Sequence, residues 1–410
     1  MQTKRKAVPK RDMRGFMAVT TGHVNRQSRA TSVATVRFEV LDSWRGICAL
    51  LVALFHFPAA GWLATNGFIR GSYLFVDFFF VLSGFVIAHA YGERLGDGTS
   101  LRKFMIRRFG RLFPLHAFML LAFIAFELIR WTLPRMTGGE PAFTDTFSVS
   151  SIFTNLLMVH GLGIERGLTW NGPSWSISTE LFAYLLFGMT IMLLGRTALL
   201  AFSAAVVVAP LFLLAVSPDY MDATWDFGMI RCIYGFSFGV IVHVLFLRIG
   251  ETPSRDGETL ASWTFAEVAV LVAVALFVAT SHANAMSVIA PLVFGFAVFI
   301  FAHEGGLVSR LLSVRPFLAL GALSYSIYMT HMFIQARMMN AAKIAELHLA
   351  MPVLSMRATD VAQAAVINES WAMPMAALML AATVAVSAVT HRLVEMPGQE
   401  WFRGLSKRVR

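Results

Sequence analysis

Two residues in the first apolar segment of this 410-residue chain, Arg45 and His56, have the types and the spacing that could do chemistry. They stand in LDSWRGICALLVALFHF, where a helix would place the imidazole about 16 Å beyond the guanidinium. If the segment crosses a membrane, His56 would lie near the middle of a hydrocarbon core about 30 Å thick. A titratable imidazole at that depth indicates either a functional site or a hydrogen bond to a neighbouring helix, and this residue alone leaves both interpretations open.

Arg45 and His56 could have different chemical roles. A neutral imidazole is a common general base near neutral pH, so His56 is a candidate catalytic residue. Arg45, at the cytoplasmic end of the same helix, could hold the phosphates of a ligand, because a guanidinium forks onto phosphate oxygens. An interfacial arginine is more often a positive-inside anchor, and that alternative stays open for Arg45.

Further titratable or polar side chains interrupt other apolar segments. Glu180 lies one to two helical turns into the segment opened by WNGPSWSISTELFAY, where a carboxylate could orient an imidazole or bind a hydroxyl. A helix-start acid that favours the helix dipole is the simpler alternative for Glu180. Asp77 is a second acid within an apolar segment. The supporting polar candidates are Ser176, Ser178, Tyr328 and His331, of which the last two share a helical face.

A basic cluster, RRFGR at residues 107–111, precedes the third apolar segment. Arg108 and Arg111 are three residues apart and therefore lie on one face of a helix. At a cytoplasmic surface, such a cluster could bind anionic lipid head groups or a nucleotide-bearing donor such as coenzyme A.

The elements that must position these groups are membrane-spanning helices. Hydrophobic residues make up 57% of the chain, its mean hydropathy is +0.65, and only 14% of its residues are charged, against about 25% in ordinary soluble domains. The fold class that we predict is an all-α polytopic membrane protein with about ten transmembrane helices. The ten apolar segments are 45–65, 72–91, 111–131, 174–195, 198–216, 227–248, 262–281, 284–302, 316–335 and 373–393.

Lysine and arginine predict the orientation, because basic residues collect on the cytoplasmic side. We expect residues 1–36 to form a basic disordered cytoplasmic tail, residues 37–400 the membrane domain and residues 401–410 a second basic cytoplasmic tail. Both termini are then cytoplasmic. The long connections 132–173 and 336–372 would face outward. A shorter apolar piece from Ile152 to Leu162 is too short to span and is expected to be re-entrant or interfacial, and VEMP, with Glu395, is expected to end the last span.

Several other functions are not indicated by the sequence. The two cysteines, Cys48 and Cys232, lie in apolar segments and form no disulfide framework or metal pattern, so we expect no metal and no bound cofactor. The chain has no phosphate-binding loop, dinucleotide fingerprint, zinc pair or serine nucleophile elbow. Its net charge of +10 is concentrated at the termini and in one loop, which favours membrane lipids rather than nucleic acid as partners.

Six blocks of this sequence, taken in order, resemble the membrane-bound acyltransferase family 3, which modifies sugars and related acceptors. They are LDSWRGICALLVALFHF, DFFFVLSGFVI, RRFGRLFPLH, WSISTELFAY, LSYSIYMTH and VEMP, and they cover about residues 38–400. The resemblance implies transfer of an acyl group, commonly acetyl, from cytoplasmic acyl-coenzyme A as co-substrate to a hydroxyl of a carbohydrate or glycoconjugate acceptor at the outer face. It also implies a bacterial inner membrane.

The resemblance assigns roles residue by residue. Positions that match family motifs are the intramembrane histidine His56, its paired basic residue Arg45, the cytoplasmic arginine pair Arg108 and Arg111, and the acid Glu180. Two positions depart from the usual family pattern. Ala183 stands where an aromatic residue is more common, and His116 stands where a tyrosine often follows the RLFPL stretch. Neither change removes a titratable group.

The mechanism that we expect places the donor against the arginines at the inner face, with its thioester reaching toward His56. The imidazole would act as general base or as transient acyl carrier, and Glu180 would approach from the outer side to orient the imidazole or the acceptor. The alternative is a proton-coupled transporter or flippase with His56, Asp77 and Glu180 as a proton relay. We see no inverted repeat of the kind on which many transporters are built.

Overall fold

The computed structural model describes residues 37–133, 141–249, 257–282, 284–349, 351–358 and 363–409, so the predicted tail 1–36 lies outside the described residues. The helices are α1 Glu39–His56, α2 Trp62–Thr65, α3 Gly67–Gly71, α4 Phe75–Tyr91, α5 Gly98–Thr132, α6 Ser150–Leu156, α7 Trp175–Leu194, α8 Ala198–Val216, α9 Gly228–Ile249, α10 Gly257–Ser281, α11 Ala290–Ala302, α12 Leu307–Leu312, α13 Arg315–Ala322, α14 Ser324–Leu349, α15 Glu369–Thr390 and α16 Met396–Arg408. Short 3₁₀ turns are Ser72–Leu74, Asp145–Phe147, Gly172–Ser174, Gly195–Thr197 and Ala285–Ile289. Strands β1 Leu354–Ala358 and β2 Gln363–Ile367 form one antiparallel hairpin, with Leu354 opposite Ile367.

The structure confirms an all-α polytopic membrane fold. Within the described part of the chain, seven helical ranges are long and apolar enough to cross a membrane, and the pair α13–α14, bent by 67°, would make an eighth. One of the seven, Gly172–Val216, contains both α7 and α8, which the sequence predicts as separate spans. The turn between them holds Gly195 at a φ of +54°, a conformation that glycine adopts without steric cost. The count of ten spans and the cytoplasmic termini stay predictions.

Helix α1 differs from the predicted segment 45–65 at both ends. It begins at Glu39, and it stops at His56, which is therefore the last helical residue and not one in the middle of a span. The stop has a local cause, because Pro58 disfavours the helical conformation at the preceding residue and Phe57 is extended, with ψ at 117°. His56 therefore occupies the end of its helix, and its imidazole contacts His331 of α14.

Two further expectations about the ends of elements are corrected by the structure. The predicted loop 336–372 is helical up to Leu349 in α14, and the hairpin occupies much of the remainder. That stretch of α14 holds four alanines, two methionines and two leucines, with one lysine and one glutamate, and all of these residue types favour a helix. Glu395 does not end the last span: a π turn, His391–Glu395, joins α15 to α16. Pro397 is tolerated in the first turn of α16, which includes 401–408.

Glycines allow the central helices to pack backbone against backbone. A Cβ at Gly84 of α4 would meet the carbonyl oxygen of Phe236 in α9, and a Cβ at Gly239 of α9 would meet that of Val81. Small residues at such contacts permit the close helix approach that is common in membranes. The short helix α6 behaves differently, since Phe153 is 66% exposed, as expected for an interfacial piece.

Candidate functional site

A cavity of about 370 Å³ lies between α1, α4, α5, α7 and α14. Its walls hold four arginines and two carboxylates, namely Arg37, Arg45, Arg108, Arg111, Asp42 and Glu180. The rest of the lining includes the predicted residues Ser176 and Tyr328 and several aromatic and aliphatic side chains. A concave site with apolar walls and an excess of positive charge suits an elongated ligand that bears anionic groups.

The two arginines of the RRFGR motif that line the cavity are held differently. Arg108 donates a hydrogen bond to the Tyr91 hydroxyl at 3.1 Å, and its guanidinium lies 5.1 Å from the centre of that ring and 5.9 Å from that of Tyr184. Arg111 makes no side-chain hydrogen bond to a described residue and interacts through its charge with Glu395 and Glu180. One guanidinium is thus fixed by stacking, whereas the other has its donors open to the cavity.

Arg45 lines the same cavity from α1. Its guanidinium lies 3.6 Å from a carboxylate oxygen of Asp42, one turn earlier on the helix. Both side chains are largely buried. The predicted donor-binding residues Arg45, Arg108 and Arg111 are therefore brought together around one space, although their order in the sequence separates them.

The carboxylate of Glu180 is held on the arginine side of the site. It accepts hydrogen bonds from the hydroxyls of Ser83 on α4 and Tyr184 one turn further along α7. Among the described residues these are its hydrogen-bond donors, and His56 is not one of them. The expectation that Glu180 orients the imidazole is thus not met by this geometry. Sequence reasoning missed Ser83 and Tyr184 as its partners, although the spacing of Glu180 and Tyr184 by four residues was a signal.

His56 contacts a second histidine that comes from α14. Its Nδ1 lies 2.9 Å from the Val52 carbonyl oxygen and 3.3 Å from Nε2 of His331. Since a carbonyl only accepts, Nδ1 of the neutral His56 carries the proton, and Nε2 is left with a free lone pair. Nδ1 of His331 lies 3.3 Å from the Ile327 carbonyl, so His331 turns an unprotonated Nε2 toward His56 by the same argument.

Tyr328 connects the histidine pair to the cavity. Its hydroxyl is 2.8 Å from the Ser176 hydroxyl and donates to the Pro173 carbonyl at 3.1 Å. Its ring centre lies 5.9 Å from that of His331, one turn along α14. Tyr328 lines the cavity, whereas neither histidine does. A row of aromatic side chains, from Tyr328 through His331 to His56, therefore leads out of the cavity.

A comparison with known families gives this geometry its context. The profile of an acyltransferase domain matches residues 38–392, which is most of the chain. The chain belongs to the membrane-bound acyltransferase family 3. This confirms the family prediction and identifies the protein as an enzyme that transfers acyl groups.

Curated relatives of this acyltransferase include three bacterial proteins. It is 33% identical over 192 residues to Protein 2 in the picA locus of Rhizobium radiobacter. The matched stretch covers 42% of this chain and 93% of that protein. It is 26% identical to the Bacillus subtilis protein provisionally named peptidoglycan O-acetyltransferase YrhL, over 71% of this chain and 47% of that protein. The chain is also 26% identical, over 71% of each protein, to the provisionally named membrane-bound transacylase BcsY of Komagataeibacter xylinus. The chain thus spans only about half of the Bacillus relative, and no solved structure matches it significantly.

Two predicted site residues of the acyltransferase have other partners. Asp77 forms a fully buried bidentate pair with Arg231 of α9, with distances of 2.9 Å to Nε and 2.8 Å to Nη2. Neither residue lines the cavity, so Asp77 belongs to the packing of α4 on α9. Ser178 donates to the Met158 carbonyl and accepts from the backbone of Gly161, which fixes the loop before α7. Arg231 was overlooked, although an arginine within an apolar segment was itself a signal.

Glu395 of the acyltransferase lies buried in the π turn that follows α15. It accepts hydrogen bonds from Ser326 at 2.7 Å and from Gln399 at 3.0 Å, and Nδ1 of His391 lies 3.0 Å from its carboxylate. The carboxylate is therefore held by three side chains, although the helix does not end there. Among the described residues, no group of three or more His, Cys, Asp or Glu side chains could hold a metal ion.

Proposed function

We propose that this enzyme transfers a short acyl group, such as acetyl, from cytoplasmic acyl-coenzyme A to a hydroxyl of an envelope carbohydrate at the outer face of a bacterial inner membrane. The observation that carries the proposal is the arginine-lined cavity that ends at Tyr328, beyond which His331 and His56 follow. The names of the Bacillus and Komagataeibacter relatives, an O-acetyltransferase and a transacylase, support an envelope polysaccharide or related glycoconjugate as acceptor.

The cavity binds the donor in this proposal. Guanidiniums of Arg45, Arg108 and Arg111 hold the phosphates of coenzyme A, because they offer paired donors in a largely buried site. Glu180 acts on this donor side, where it offsets part of the positive charge and is held by two hydroxyls. The narrow acyl-bearing arm extends past Tyr328 toward the histidines.

His56 performs the transfer in one of two ways that the geometry serves equally. As general base, its Nε2 takes the proton of the acceptor hydroxyl while that oxygen attacks the thioester carbonyl, and the C–S bond breaks to release the coenzyme A thiolate. As acyl carrier, Nε2 attacks the thioester carbonyl, and the C–S bond breaks to release the coenzyme A thiolate. The acceptor hydroxyl then attacks the acyl-imidazole, the bond between Nε2 and the acyl carbon breaks, and the freed Nε2 takes the hydroxyl proton. In both, the proton on Nδ1 stays shared between the Val52 carbonyl and His331.

The topology of the proposal places the arginine end of the cavity at the cytoplasm and His56 toward the outer side. Ten spans result when α1 is counted, α7 and α8 are separated, and α13–α14 form one bent span. Both termini are then cytoplasmic, in agreement with the basic residues near each end.

Release of coenzyme A tests the proposal directly. Membranes that contain the wild type, His56→Ala or the control His348→Ala, an exposed histidine near the end of α14, receive labelled acetyl-coenzyme A and envelope carbohydrate. We expect label on carbohydrate and free thiol with the wild type and the control, and loss of both with His56→Ala at equal protein levels. Full activity of His56→Ala would remove His56 from the chemistry. Absence of acceptor-dependent thiol release from the wild type would contradict the donor assignment and favour a transporter.

A further inference from the structure

We infer that Arg70 forms an anion subsite for the acceptor beside His56, and that the acceptor carries a carboxylate or phosphate near the hydroxyl that is acylated. The inference rests on the proposed function, since it takes His56 as the place of transfer. Arg70 lies in none of the sequence blocks that define the family resemblance, and it does not line the donor cavity.

One aromatic ring separates Arg70 from the imidazole. The guanidinium carbon of Arg70 lies 5.3 Å from the centre of the Phe55 ring, and that ring lies 4.8 Å from the imidazole of His56. The positive charge of Arg70 also interacts electrostatically with the imidazole of His56. By contrast, Arg45 of the donor cavity lies about 16 Å from His56 along α1. Of these two arginines, Arg70 is therefore the one near His56.

Arg70 has its hydrogen-bonding capacity free. Its side chain is exposed, and it makes no hydrogen bond or ion pair to any residue that the structure describes. The charge of Arg70 interacts with that of Asp222 in the loop before α9, which is not within ion-pair distance. A guanidinium stacked on a ring keeps all its donors in its own plane, where they can fork onto a carboxylate or phosphate.

The backbone that carries Arg70 is closely packed. Asn66 caps the start of α3, and its side chain accepts a hydrogen bond from the backbone N–H of Ile69 at 3.0 Å. A Cβ at Gly67 or at Gly71 would meet carbonyl oxygens of α10, so α3 contacts α10 without intervening side chains. The guanidinium therefore projects from a fixed element and is not part of a freely moving loop.

The position of the Arg70 guanidinium over the Phe55 ring also bears on the chemical class of the acceptor. A neutral sugar is often bound by its ring face on an aromatic side chain, but the Phe55 ring is covered by the guanidinium on one side and packs on Tyr73 and His56 at its edges. The group that this surface presents outward is a cation. A charged substituent of the acceptor suits that cation better than a hydroxyl does, because hydrogen bonds between two charged groups are the stronger ones.

The test compares Arg70→Ala and Arg70→Lys with the wild type and with Arg166→Ala, an exposed arginine in the loop before α7. Acetyl transfer to envelope carbohydrate is measured against acceptor concentration and salt, with the enzyme in phosphatidylcholine or phosphatidylglycerol nanodiscs. Labelled product is then divided by anion exchange. We expect Arg70→Ala to raise the acceptor KM about tenfold or more, with the donor KM unchanged, and Arg70→Lys to recover part of the loss. Added salt should raise the acceptor KM of the wild type and not that of Arg70→Ala.

Three results would overturn the inference while leaving the proposed function intact. They are label confined to the neutral carbohydrate fraction, an equal acceptor KM in the wild type and Arg70→Ala, and an effect of Arg70→Ala that occurs only in phosphatidylglycerol, which would assign the cation to lipid phosphate. Absence of any transfer by the wild type is a different result, because it contradicts the proposed function and the inference falls with it.

Discussion

Nδ1 of His56 and Nε2 of His331 lie 3.3 Å apart, although 275 residues separate them in the chain. The contact joins the end of α1 to the second turn of α14 and gives the imidazole of His56 a partner on its protonated side. A neighbour that fixes the tautomer of a general base is a recurring feature of catalytic sites. In the proposed reaction, His331 therefore acts as a positioning residue for the transfer step.

His331→Ala should lower kcat by about ten- to a hundredfold with little change in the donor KM, because the arginine cavity is untouched. His331→Gln should retain more activity, since its amide oxygen can accept the Nδ1 proton of His56. Steady-state kinetics of the two variants at equal membrane levels check this. Equal losses of kcat in both variants, or a loss confined to KM, would contradict the positioning role.

The stacked and the unpaired arginine of the cavity should respond differently to lysine. Arg108→Lys is expected to raise the donor KM about tenfold, because an ammonium cannot stack between Tyr91 and Tyr184 as a guanidinium does. Arg111→Lys should be milder, since Arg111 contributes an open charge. The measurement is the KM for acetyl-coenzyme A. Arg102→Ala is the matched control, because Arg102 is an exposed residue near the start of α5 that does not line the cavity and should leave that KM nearly unchanged.

The buried pair of Asp77 and Arg231 should matter for stability and not for chemistry. Loss of one partner leaves an uncompensated buried charge, so Asp77→Asn and Arg231→Met should each destabilise the protein by about 3–5 kcal/mol. The double variant Asp77→Leu with Arg231→Met should recover much of that loss. The measurements are the thermal unfolding of the purified variants and their transferase activity per folded molecule. We expect lower stability with unchanged activity. A fully folded Asp77→Asn variant without activity would return Asp77 to the functional site.

The close approach of α4 and α9 should depend on glycine. Gly239→Ala puts a methyl group against the Val81 carbonyl, so we expect a cost of about 1–3 kcal/mol and lower membrane levels. Gly98→Ala, at the start of α5, has nothing within 4 Å of the added carbon and serves as the control. Thermal stability of the two variants is the measurement, and equal midpoints would mean that the helices adjust without cost.

The sequence by itself determined the fold class and the family. Long apolar segments can only bury their backbone polar groups in a membrane as helices, so composition is enough to predict an all-α membrane protein. Ordered motifs identified the acyltransferase family, which the profile match confirms. The sequence predicted Arg45, Arg108 and Arg111 as one donor site, and these three residues do line one cavity. Basic residues at the same end of neighbouring membrane helices lie at a similar depth, which brings them close together.

Only the tertiary structure decided which groups meet. The sequence offered Glu180 as a group that orients either His56 or the acceptor. Helix packing places its carboxylate against Ser83 and Tyr184, and His331 is the histidine that contacts His56. Asp77 looked like a site residue until α9 supplied Arg231. Periodicity fixes the face of a helix on which a side chain lies, whereas the neighbour that this face meets depends on helix order, rotation and close glycine contacts. Those contacts join residues far apart in the chain, and no local pattern encodes them.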